Sequence, residues 1–434
     1  MRFEQLDDWL RWMECQHPRN IELGLERISA VARRIDIDLS MPVVTVAGTN
    51  GKGSCTALLA AIYAAEGYQV GAYTSPHLNK YNERIAIDGR YVDDESLCRA
   101  FAAIDSARGD ISLTYFEFGT LAALLIFMQR SVDIVVLEVG LGGRLDAVNI
   151  IDADVAIISS IAVDHEAWLG ADRDVIGREK AGIFRAQKMA VIGDAQPPAS
   201  IRAYGKEVGA SLVFRGGDFN ITEAESAWQW RGRSASGATM CYENLPYPAV
   251  LIDNAATVLQ ALQYVGLPIS EQAIKQGLST VSLAGRCQHI EFRGIDVLLD
   301  VAHNPASVVI LREHLTKFPV EGKTECLFAV MADKDLAEMI STLKPCFSHW
   351  NIAPLADNDR AATPDDILAA LQVQGVGSSS TASTFKESLD EELSRLSKGD
   401  RLVVFGSFFT VAAAVTEIDE LLCAEQISVG ESEL

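Results

Sequence analysis

The segment from Gly48 to Ser54, GTNGKGS, holds the residues whose types and spacing are best suited to chemistry. It follows a short apolar run and precedes a helical pattern of small residues. Glycines let backbone N–H groups approach phosphate oxygens, and the N-terminus of the next helix adds partial positive charge. Lys52 would pair with the outer phosphates, and Ser54 could reach a bound magnesium ion. A glycine-rich turn with a surface lysine is the alternative, but the order of strand, loop and helix favours a phosphate site. Its predicted residues are Thr49, Asn50, Gly51, Lys52, Gly53 and Ser54.

Other polar residues follow apolar runs in the same way. Glu138 ends the run DIVVLEVG, and Asp164 and His165 follow ADVAIISSIA. In open parallel sheets ligands bind beyond the carboxyl ends of the strands, so these residues are candidates for a magnesium site. Glu138 is equally compatible with a loop or capping carboxylate. Histidine is an atypical magnesium ligand, because magnesium prefers oxygen, and a structural role for His165 is the simpler interpretation.

Lys180, in REKAGIF, is by pattern alone an ordinary helix lysine paired with an acid such as Glu179. In the second half of the chain Asp300 ends an apolar run before AHNP, and Ser407 ends another. Each of these residues has an ordinary structural explanation when taken singly. Their repeated position at strand ends predicts a shared ligand-binding edge.

The elements that must position these residues predict an α/β fold. Short, nearly continuous apolar runs are typical of strands buried on both faces of a parallel sheet. They alternate with helical patterns that supply the crossovers. The runs span 43–48, 133–140, 153–162, 189–194, 295–302, 324–331 and 401–407. Alternating fragments near 205–247 predict a small antiparallel insertion instead.

Length, net charge and cysteine content limit the possible domain number, partners and location of the protein. A chain of 434 residues fits two domains, here predicted as 1–287 and 288–434. The net charge of −22 argues against a nucleic-acid partner. No apolar run approaches the ~18 residues of a membrane helix, and the first residues lack the apolar core of a signal peptide. Eight scattered cysteines without a CxxC pair predict reduced thiols, and the expected location is cytoplasmic.

Two classes of function fit a phosphate loop, a magnesium carboxylate and a second α/β domain. One is a ligase that phosphorylates a carboxylate and lets an amine displace the phosphate. The other is a nucleotide-driven switch or ATPase module, which needs partner-binding surfaces. The pattern favours the ligase, which needs sites for two further small substrates.

Several collinear motifs carry a more specific signal: AGTNGKGS, TSPHL, TYFEFGT, LEVGLGGRLDAVN, IGREKAGIF, DVAHNP and FGSFFTV. With them the chain resembles the folylpolyglutamate synthases of the Mur ligase superfamily, in particular the bacterial bifunctional dihydrofolate synthases/folylpolyglutamate synthases. The resemblance implies a P-loop ATP-binding domain with a largely parallel sheet and a smaller Rossmann-like carboxyl-terminal domain. It implies addition of L-glutamate to dihydropteroate and to reduced folates through an acyl phosphate, in a monomer. A synthase with only the folylpolyglutamate activity stays open.

The resemblance also assigns roles by position. Ser54, Ser75, Glu138 and His165 match the magnesium positions, and Lys180 matches a lysine that carries a CO2-derived carbamate. Asn254, Arg286 and Asp300 match ATP contacts, and Asp300, His303 and Ser407 match positions near the reacting groups. A monovalent cation such as K⁺ is a further expected cofactor. The expected pterin and folate residues are Glu22, Leu23, Thr114, Tyr115, Phe116, Glu117, Leu145, Asp146 and Ala147.

Two positions depart from the family pattern. Glu22 stands where aspartate is usual, which lengthens a pterin-site acid by one methylene. Ala284 replaces a proline before the Gly-Arg pair of the hinge, so the hinge is expected to be less stiff. Neither change touches the phosphate or magnesium positions.

Overall fold

A computed structural model describes residues 2–18, 21–356 and 358–432, with side chains through residue 422. The chain divides into two compact units between Ser282 and Leu283. The domain boundary predicted at residues 287 and 288 lies close to this division and stays a prediction. No helix in the described ranges is both long and apolar enough to cross a membrane.

The first unit is built on an eight-stranded sheet in the order β4-β3-β2-β5-β1-β6-β7-β8. All neighbouring strands are parallel except the pairs β2–β3 and β3–β4. This confirms the predicted parallel sheet, since each apolar run of this half contains a strand. The strands are β1 (Val43–Ala47), β2 (Val70–Tyr73), β3 (Ile85–Ile87), β4 (Arg90–Tyr91), β5 (Ile134–Glu138), β6 (Val155–Ile158), β7 (Met189–Ile192) and β8 (Ser211–Phe214).

Within the described residues, ten α-helices of this unit cover the sheet and its edges. They are α1 (Leu6–Glu14), α2 (Glu26–Arg34), α3 (Lys52–Glu66), α4 (Asp94–Arg108), α5 (Tyr115–Arg130), α6 (Glu166–Leu169), α7 (Arg173–Ala181), α8 (Ala199–Val208), α9 (Ile252–Leu262) and α10 (Glu271–Thr280). Short 3₁₀ turns lie at Tyr81–Arg84 and Ala147–Ile150.

A separate three-stranded antiparallel sheet, in the order β11-β10-β9, follows β8. Its strands are β9 (Asn220–Glu223), β10 (Trp228–Arg233) and β11 (Thr239–Leu245). The insertion predicted near 205–247 was therefore placed too early. Residues 205–208 end α8, and β8 pairs in parallel with β7 at the edge of the large sheet. β8 lies at the edge of the sheet, is exposed at its first residue and is buried only at its last two, so its sequence lacks the longer apolar run of an inner strand.

The core lies on both faces of the large sheet. Along β1, Val43 and Ala47 pack into one apolar cluster and Val44 and Val46 into the other. α5 covers the first face and α3 with α9 the second. β1 is thus buried on both sides, which explains why its sequence is largely apolar. The glycine loop that follows therefore begins at a strand fixed in the core.

The second unit holds a six-stranded sheet in the order β12-β13-β17-β14-β15-β16, parallel except for the pair β12–β13. Its strands are β12 (Gln288–Phe292), β13 (Ile295–Asp300), β14 (Thr324–Phe328), β15 (Trp350–Ile352), β16 (Ser379–Thr381) and β17 (Arg401–Phe405). Its helices are α11 (Pro305–Lys317), α12 (Leu336–Leu343), α13 (Pro364–Val373), α14 (Phe385–Arg395) and α15 (Phe408–Ser432), and a 3₁₀ turn lies at Lys344–Cys346. The three apolar runs predicted here contain β13, β14 and β17.

Candidate active site

The glycine loop joins the carboxyl end of β1 to the N-terminus of α3, as the sequence predicted. Gly51 precedes the helix with a left-handed φ of 87°, which favours glycine. A Cβ at Gly51 would lie 2.5 Å from Asn254 Oδ1, so glycine also lets the amide of Asn254 approach the loop. Backbone N–H groups at the start of a fifteen-residue helix form a suitable anion site.

The loop is fixed by the segment that follows β6. Thr49 donates its N–H to Ser160 O at 2.7 Å, and its hydroxyl donates to Ala162 O at 2.9 Å. The hydroxyls of Ser159 and Ser160 donate to Asn50 O at 2.7 and 3.0 Å. Sequence analysis missed these two serines, although their place at the end of a strand neighbouring β1 was a readable signal. They hold the loop in one conformation before any ligand binds.

Lys52 and Lys180 converge on this loop. Lys52 Nζ donates to the carbonyls of Gly48 and Thr49, each at 3.1 Å. Lys180 Nζ donates to Gly48 O at 2.8 Å, and the Lys180 side chain is buried. Burial, reinforced by the charge of Lys52, lowers the pKa of Lys180 to about 7. Lys180 is therefore not the helix lysine paired with Glu179, because Glu179 bonds Arg144 instead.

The predicted magnesium residues occupy neighbouring strand ends. Glu138 is the last residue of β5, pairs in register with Val46 of β1, and accepts the Ser75 N–H at 3.2 Å. Ser54 lies in the first turn of α3, and Glu138 and Ser54 are both buried. His165 follows β6 in a left-handed conformation, with φ of 54°. Within the described ranges no three acidic, histidine or cysteine side chains form a ready-made metal site.

These donors fit a nucleotide–magnesium complex. Carboxylate and hydroxyl oxygens are the ligands magnesium prefers, and magnesium commonly takes further ligands from phosphate and water. Asn254 Nδ2 is buried without a hydrogen-bond partner among the described residues. A buried donor without a partner is costly, so this amide at the loop is available to a ligand.

The predicted pterin residues are brought together by α2, α5 and the loop after β5. Gly24 donates its N–H to Leu145 O at 3.3 Å, which joins the segment after Glu22 and Leu23 to the segment containing Leu145, Asp146 and Ala147. Arg27 donates to Glu22 Oε1 at 2.5 Å and to Glu117 Oε1 at 3.2 Å. Arg27 was missed by sequence analysis, because its role depends on an acid ninety residues away.

Two acids of the predicted pterin set, Glu117 and Asp146, also have structural roles. Thr114 and Glu117 form a capping box at the start of α5, in which Glu117 Oε2 accepts the Thr114 N–H at 2.7 Å. Asp146 is buried and accepts N–H groups of Leu141 and Val148 at 2.9 and 3.1 Å. Burial raises the pKa of Asp146 to about 6. Each carboxylate is thereby held in one orientation.

Aromatic rings line the same region. A Cβ at Gly140 would lie 2.7 Å from the ring of Phe116, so the ring lies over the glycine loop after β5. Tyr115 and Tyr81 pack edge to face with centroids 5.4 Å apart. The Arg84 guanidinium lies 5.3 Å from the Tyr81 ring centroid and 5.5 Å from that of Tyr115. Tyr81 is buried, so Tyr115 and Phe116, which are partly exposed, are the rings that an aromatic substrate could contact, with the Arg84 cation nearby.

In the second unit, Asp300 lies at the end of β13, and both of its carboxylate oxygens accept hydrogen bonds from backbone N–H groups. Its Oδ2 accepts the Cys287 N–H at 2.9 Å, and its Oδ1 accepts the Ala302 N–H at 2.7 Å. The Arg286 guanidinium lies 5.2 Å from the Phe408 ring centroid. These contacts bring Arg286, Cys287 and Asp300 to the carboxyl edge of the second sheet.

His303 and Ser407 lie at the same edge of that unit. His303 Nδ1 donates to Val301 O at 2.7 Å, which fixes the orientation of the ring. Ser407 Oγ is buried, accepts the Thr410 N–H at 3.0 Å and lies 2.6 Å from the Thr410 hydroxyl. Ser407 thus caps the start of α15.

Comparison with known proteins agrees with this architecture. The family model of the Mur ligase middle domain matches residues 46–223, and that of the Mur ligase glutamate ligase domain matches residues 285–408. The fold and the site therefore define a Mur-type ATP-dependent ligase.

Comparison with individual relatives identifies the family within the Mur-type ligases. The dihydrofolate synthase/folylpolyglutamate synthase of Escherichia coli is 43% identical over 415 residues, which cover 95% of this chain and 96% of the relative. The structure of E. coli FolC in complex with DHPP and ADP has a TM-score of 0.91 and covers 96% of this chain and 98% of that chain. A Yersinia pestis homologue complexed with AMPPNP and Mn ion is 41% identical, with a TM-score of 0.89 and coverage of 96% and 98%. This chain belongs to the dihydrofolate synthase/folylpolyglutamate synthase family.

Proposed function

We propose that this chain adds L-glutamate to dihydropteroate, forming dihydrofolate, and to the glutamate tail of reduced folates, forming folylpolyglutamates. The observation that carries the proposal is the buried contact of Lys180 Nζ with Gly48 O in the phosphate loop, beside the strand ends that bear Ser75 and Glu138. The family relationship and the ADP and DHPP bound by FolC support it.

The reaction has two chemical steps. A substrate carboxylate oxygen attacks the γ-phosphorus of ATP, the bond to the β-phosphate breaks, and an acyl phosphate and ADP form. The glutamate nitrogen then attacks the carbonyl carbon, and the tetrahedral intermediate collapses to an amide as phosphate leaves and the nitrogen loses its proton. Thr49 to Ser54 would hold the phosphates, and preorganised N–H groups would stabilise the developing charge. Magnesium, held by Ser54, Ser75, Glu138 and His165, would neutralise phosphate charge.

Lys180 would act as a carbamate. With a pKa of about 7 its amine is substantially neutral near pH 7, and only the neutral amine can attack CO2. The nitrogen–carbon bond forms, one proton leaves, and the side chain becomes an anion. A free ammonium at this position would repel magnesium, whereas the anion would attract it. The loop carbonyl now bonded to Lys180 fixes the direction from which the group approaches.

The carbamate has a direct test. Protein held in CO2-free buffer should lose activity and regain it when bicarbonate is added, and ¹³CO2 should give one carbamate signal that is absent from K180Q. Carbamate occupancy should fall as pH drops below about 7, because the amine becomes protonated. Activity that is independent of CO2, with no ¹³C signal, would remove the carbamate from the mechanism.

The remaining roles follow the geometry of each unit. Phe116 and Tyr115 would pack on the pterin ring, with Glu22, Leu23, Thr114, Glu117, Leu145, Asp146 and Ala147 shaping its pocket. Asn254, Arg286 and Asp300 would contact the nucleotide. Asp300, His303 and Ser407 would lie near the reacting phosphate and glutamate, where Ser407 acts at least as the cap of α15. K⁺ as a further cofactor, a monomeric state and a cytoplasmic location complete the proposal.

The deciding experiment measures ADP release by the purified protein with magnesium and L-glutamate. Dihydropteroate and a reduced monoglutamyl folate are compared as acceptors. Glutamate-dependent turnover with both acceptors is expected. Turnover with the folate alone would assign only folylpolyglutamate synthesis, the activity named for the Lacticaseibacillus casei relative that is 30% identical to this chain. ADP release that depends on neither acceptor nor on glutamate would contradict the proposed ligase activity and favour an ATPase or switch.

A further inference from the structure

Arg27, in the first turn of α2, joins two carboxylates of the expected pterin site. Its Nη1 donates to Glu22 Oε1 at 2.5 Å, and its Nη2 donates to Glu22 O at 3.1 Å. The same Nη2 donates to Glu117 Oε1 at 3.2 Å. One guanidinium therefore holds both the backbone and the side chain of Glu22, together with an acid on a different helix.

Glu117 is the fixed end of this bridge. Its side chain is only 3% exposed, and among the residues that the structure describes Arg27 is its only ion-pair partner. Its Oε2 accepts the Thr114 N–H at 2.7 Å in the capping box of α5, so the helix start sets its orientation. Removing one partner of a buried ion pair is costly, and Arg27 is therefore held firmly against α5.

Glu22 is the accessible end of the bridge. Its side chain is 31% exposed, and it lies in the segment that precedes α2. Gly24 of this segment donates its N–H to Leu145 O at 3.3 Å. Arg27 thus links α5 to a segment that is itself bonded to the loop after β5. These three parts of the chain supply all the residues expected to contact the pterin or folate.

One donor of Arg27 is unsatisfied in this arrangement. Arg27 Nε is buried and has no hydrogen-bond partner among the described residues. A buried donor without a partner is costly, and such departures from full satisfaction are expected at functional sites. The planar fork of an arginine can reach two carboxylates at once, which the single ammonium of a lysine reproduces poorly. These observations favour a positioning role over stabilisation of α2 alone.

We propose that Arg27 is a positioning residue for acceptor binding. Anchored on Glu117, it holds the Glu22 carboxylate in place to accept N–H groups from the amino-pyrimidine edge of the pterin. An ionised carboxylate offers about four acceptor sites, so Arg27 and a substrate can bond Glu22 at the same time. The inference rests on the proposed function, which supplies dihydropteroate and reduced folates as acceptors. Arg27 itself needs no contact with the substrate, and its effect is confined to acceptor binding.

The test measures acceptor binding and turnover by the intact protein. Calorimetry with dihydropteroate, in the presence of Mg²⁺ and ADP, gives the Kd without turnover. R27Q should raise this Kd and the KM for dihydropteroate about tenfold or more, because Glu22 loses the partner that fixes it. The Kd for ADP and the KM for ATP should change less than about twofold. R27K should show an intermediate loss, because it keeps the charge but not the fork.

Coupling between Arg27 and Glu22 separates a positioning role from a general loss of structure. E22Q keeps the shape of the side chain and should itself weaken dihydropteroate binding. Because Arg27 acts through Glu22, R27Q should cost less affinity in the E22Q background than in wild type. Fully additive losses would overturn the proposal. Melting curves establish that each variant is folded, and a folding defect in R27Q leaves R27K informative.

R33Q is the matched control, since Arg33 is an exposed arginine of the same helix, and it should bind dihydropteroate as wild type does. An unchanged Kd in R27Q would overturn the role of Arg27 and leave the proposed ligase intact. Equal losses of ADP and dihydropteroate binding in R27Q and R27K would also overturn that role.

Two results with wild type separate this inference from the proposed function. Binding of dihydropteroate without glutamate-dependent turnover would contradict the proposed function, while the comparison of Kd values would still test Arg27. Binding of neither dihydropteroate nor a reduced folate would overturn both.

Discussion

Lys180 in the first unit and Glu392 in the second are both buried ionisable side chains with displaced pKa values, but their surroundings differ. Burial lowers the pKa of Lys180 to about 7, and burial with the neighbouring Glu325 raises the pKa of Glu392 to about 8. Removal from water disfavours the charged form in both cases. The size of the shift therefore does not distinguish the two groups.

Position distinguishes them. Lys180 contacts the first residue after β1, at the carboxyl edge of the parallel sheet where ligands bind. Glu325 instead lies near the start of β14, and Glu392 packs beside it from α14. Asn351 Nδ2 donates to Glu392 Oε1 at 3.3 Å, and His349 Nε2 lies 3.5 Å from the same oxygen.

The comparison teaches that a perturbed pKa indicates a functional site only with a second feature, here a strand end and an anion-binding loop. The carboxyl pair of Glu325 and Glu392 is enclosed by residues of its own unit, and one shared proton relieves the repulsion between them. We expect it to influence stability. Lys180 we expect to influence catalysis.

The largest expected effect is that of K180A. Turnover should fall about 100-fold or more, because a charge aligned with the phosphates is lost, while nucleotide binding is largely kept. Steady-state ADP release and calorimetry with ADP measure the two properties. K188A is the matched control, since Lys188 is half exposed and bonds Asp154. Full activity in K180A would contradict the inference that Lys180, unlike Glu392, influences catalysis.

The next effect is that of G48A, which tests whether the loop conformation is required. Gly48 has φ of 153°, and a Cβ there would lie 1.9 Å from Ser159 Oγ. Displacement of the serines that hold Asn50 should weaken ADP binding by about tenfold or more and lower the free energy of unfolding by about 1–3 kcal/mol. Calorimetry and urea unfolding measure these changes.

G217A is the control for G48A. The nearest atom to a Cβ at Gly217 is 3.9 Å away, so alanine fits there. Its free energy of unfolding should be unchanged or slightly higher, because alanine restricts the unfolded chain. Normal ADP binding by G48A would mean that the loop adapts and that the contacts of Ser159 are dispensable.

The sequence predicted the parallel sheets and the glycine loop because their signals are local. Strands buried on both faces are apolar throughout, and glycines followed by a helical pattern lie next to one another in the chain. The edge strand β8 broke this rule, since only its last two residues are buried. The predicted insertion therefore wrongly included the end of α8 and the strand Ser211–Phe214, which pairs with β7 in the large sheet.

The roles of individual site residues depended on contacts between distant segments. Lys180 and Gly48 are 132 positions apart, and nothing in REKAGIF alone reveals their contact. Glu117 differs from Lys180, because its structural role could be predicted from local spacing. TYFEFGT is compatible with a helix start as well as with a pterin site, and the helix start is confirmed, since Thr114 and Glu117 form the capping box of α5. A local structural explanation and a ligand role can apply to the same residue.

E392Q tests the stability side of the comparison. With a folded pKa of about 8 against an ordinary value of 4.5, Glu392 holds its proton more tightly in the folded state. Its contribution to stability is complete below the ordinary value and is lost as pH rises toward about 8. Glutamine keeps the shape without ionising, so E392Q should lose less stability than wild type between about pH 5 and about pH 9.

Urea midpoints at several pH values measure this slope, and the exposed neighbour variant E391Q should behave as wild type. The charged and titratable groups facing Glu392 are Glu325, His349 and Arg395. Because Glu325 and Glu392 share a proton, E392Q also changes the titration of Glu325, and the difference in slope between wild type and E392Q reports the carboxyl pair. Identical slopes in wild type and E392Q would mean that Glu392 is ionised in the folded state. Altered turnover in E392Q at unchanged stability would contradict the inference that Glu392 influences stability but not catalysis.

The smallest expected effect is that of T114A, at a position where a structural and a substrate-binding role coincide. Thr114 Oγ1 accepts the Glu117 N–H at 3.2 Å, and loss of such a cap typically costs about 1 kcal/mol. T114S keeps the hydroxyl and should retain wild-type stability. If the cap also orients Glu117 for the pterin, T114A should raise the KM for dihydropteroate while leaving the KM for ATP unchanged. Equal KM values in T114A and T114S, with the stability loss present, would restrict Thr114 to the helix cap and remove it from the pterin site.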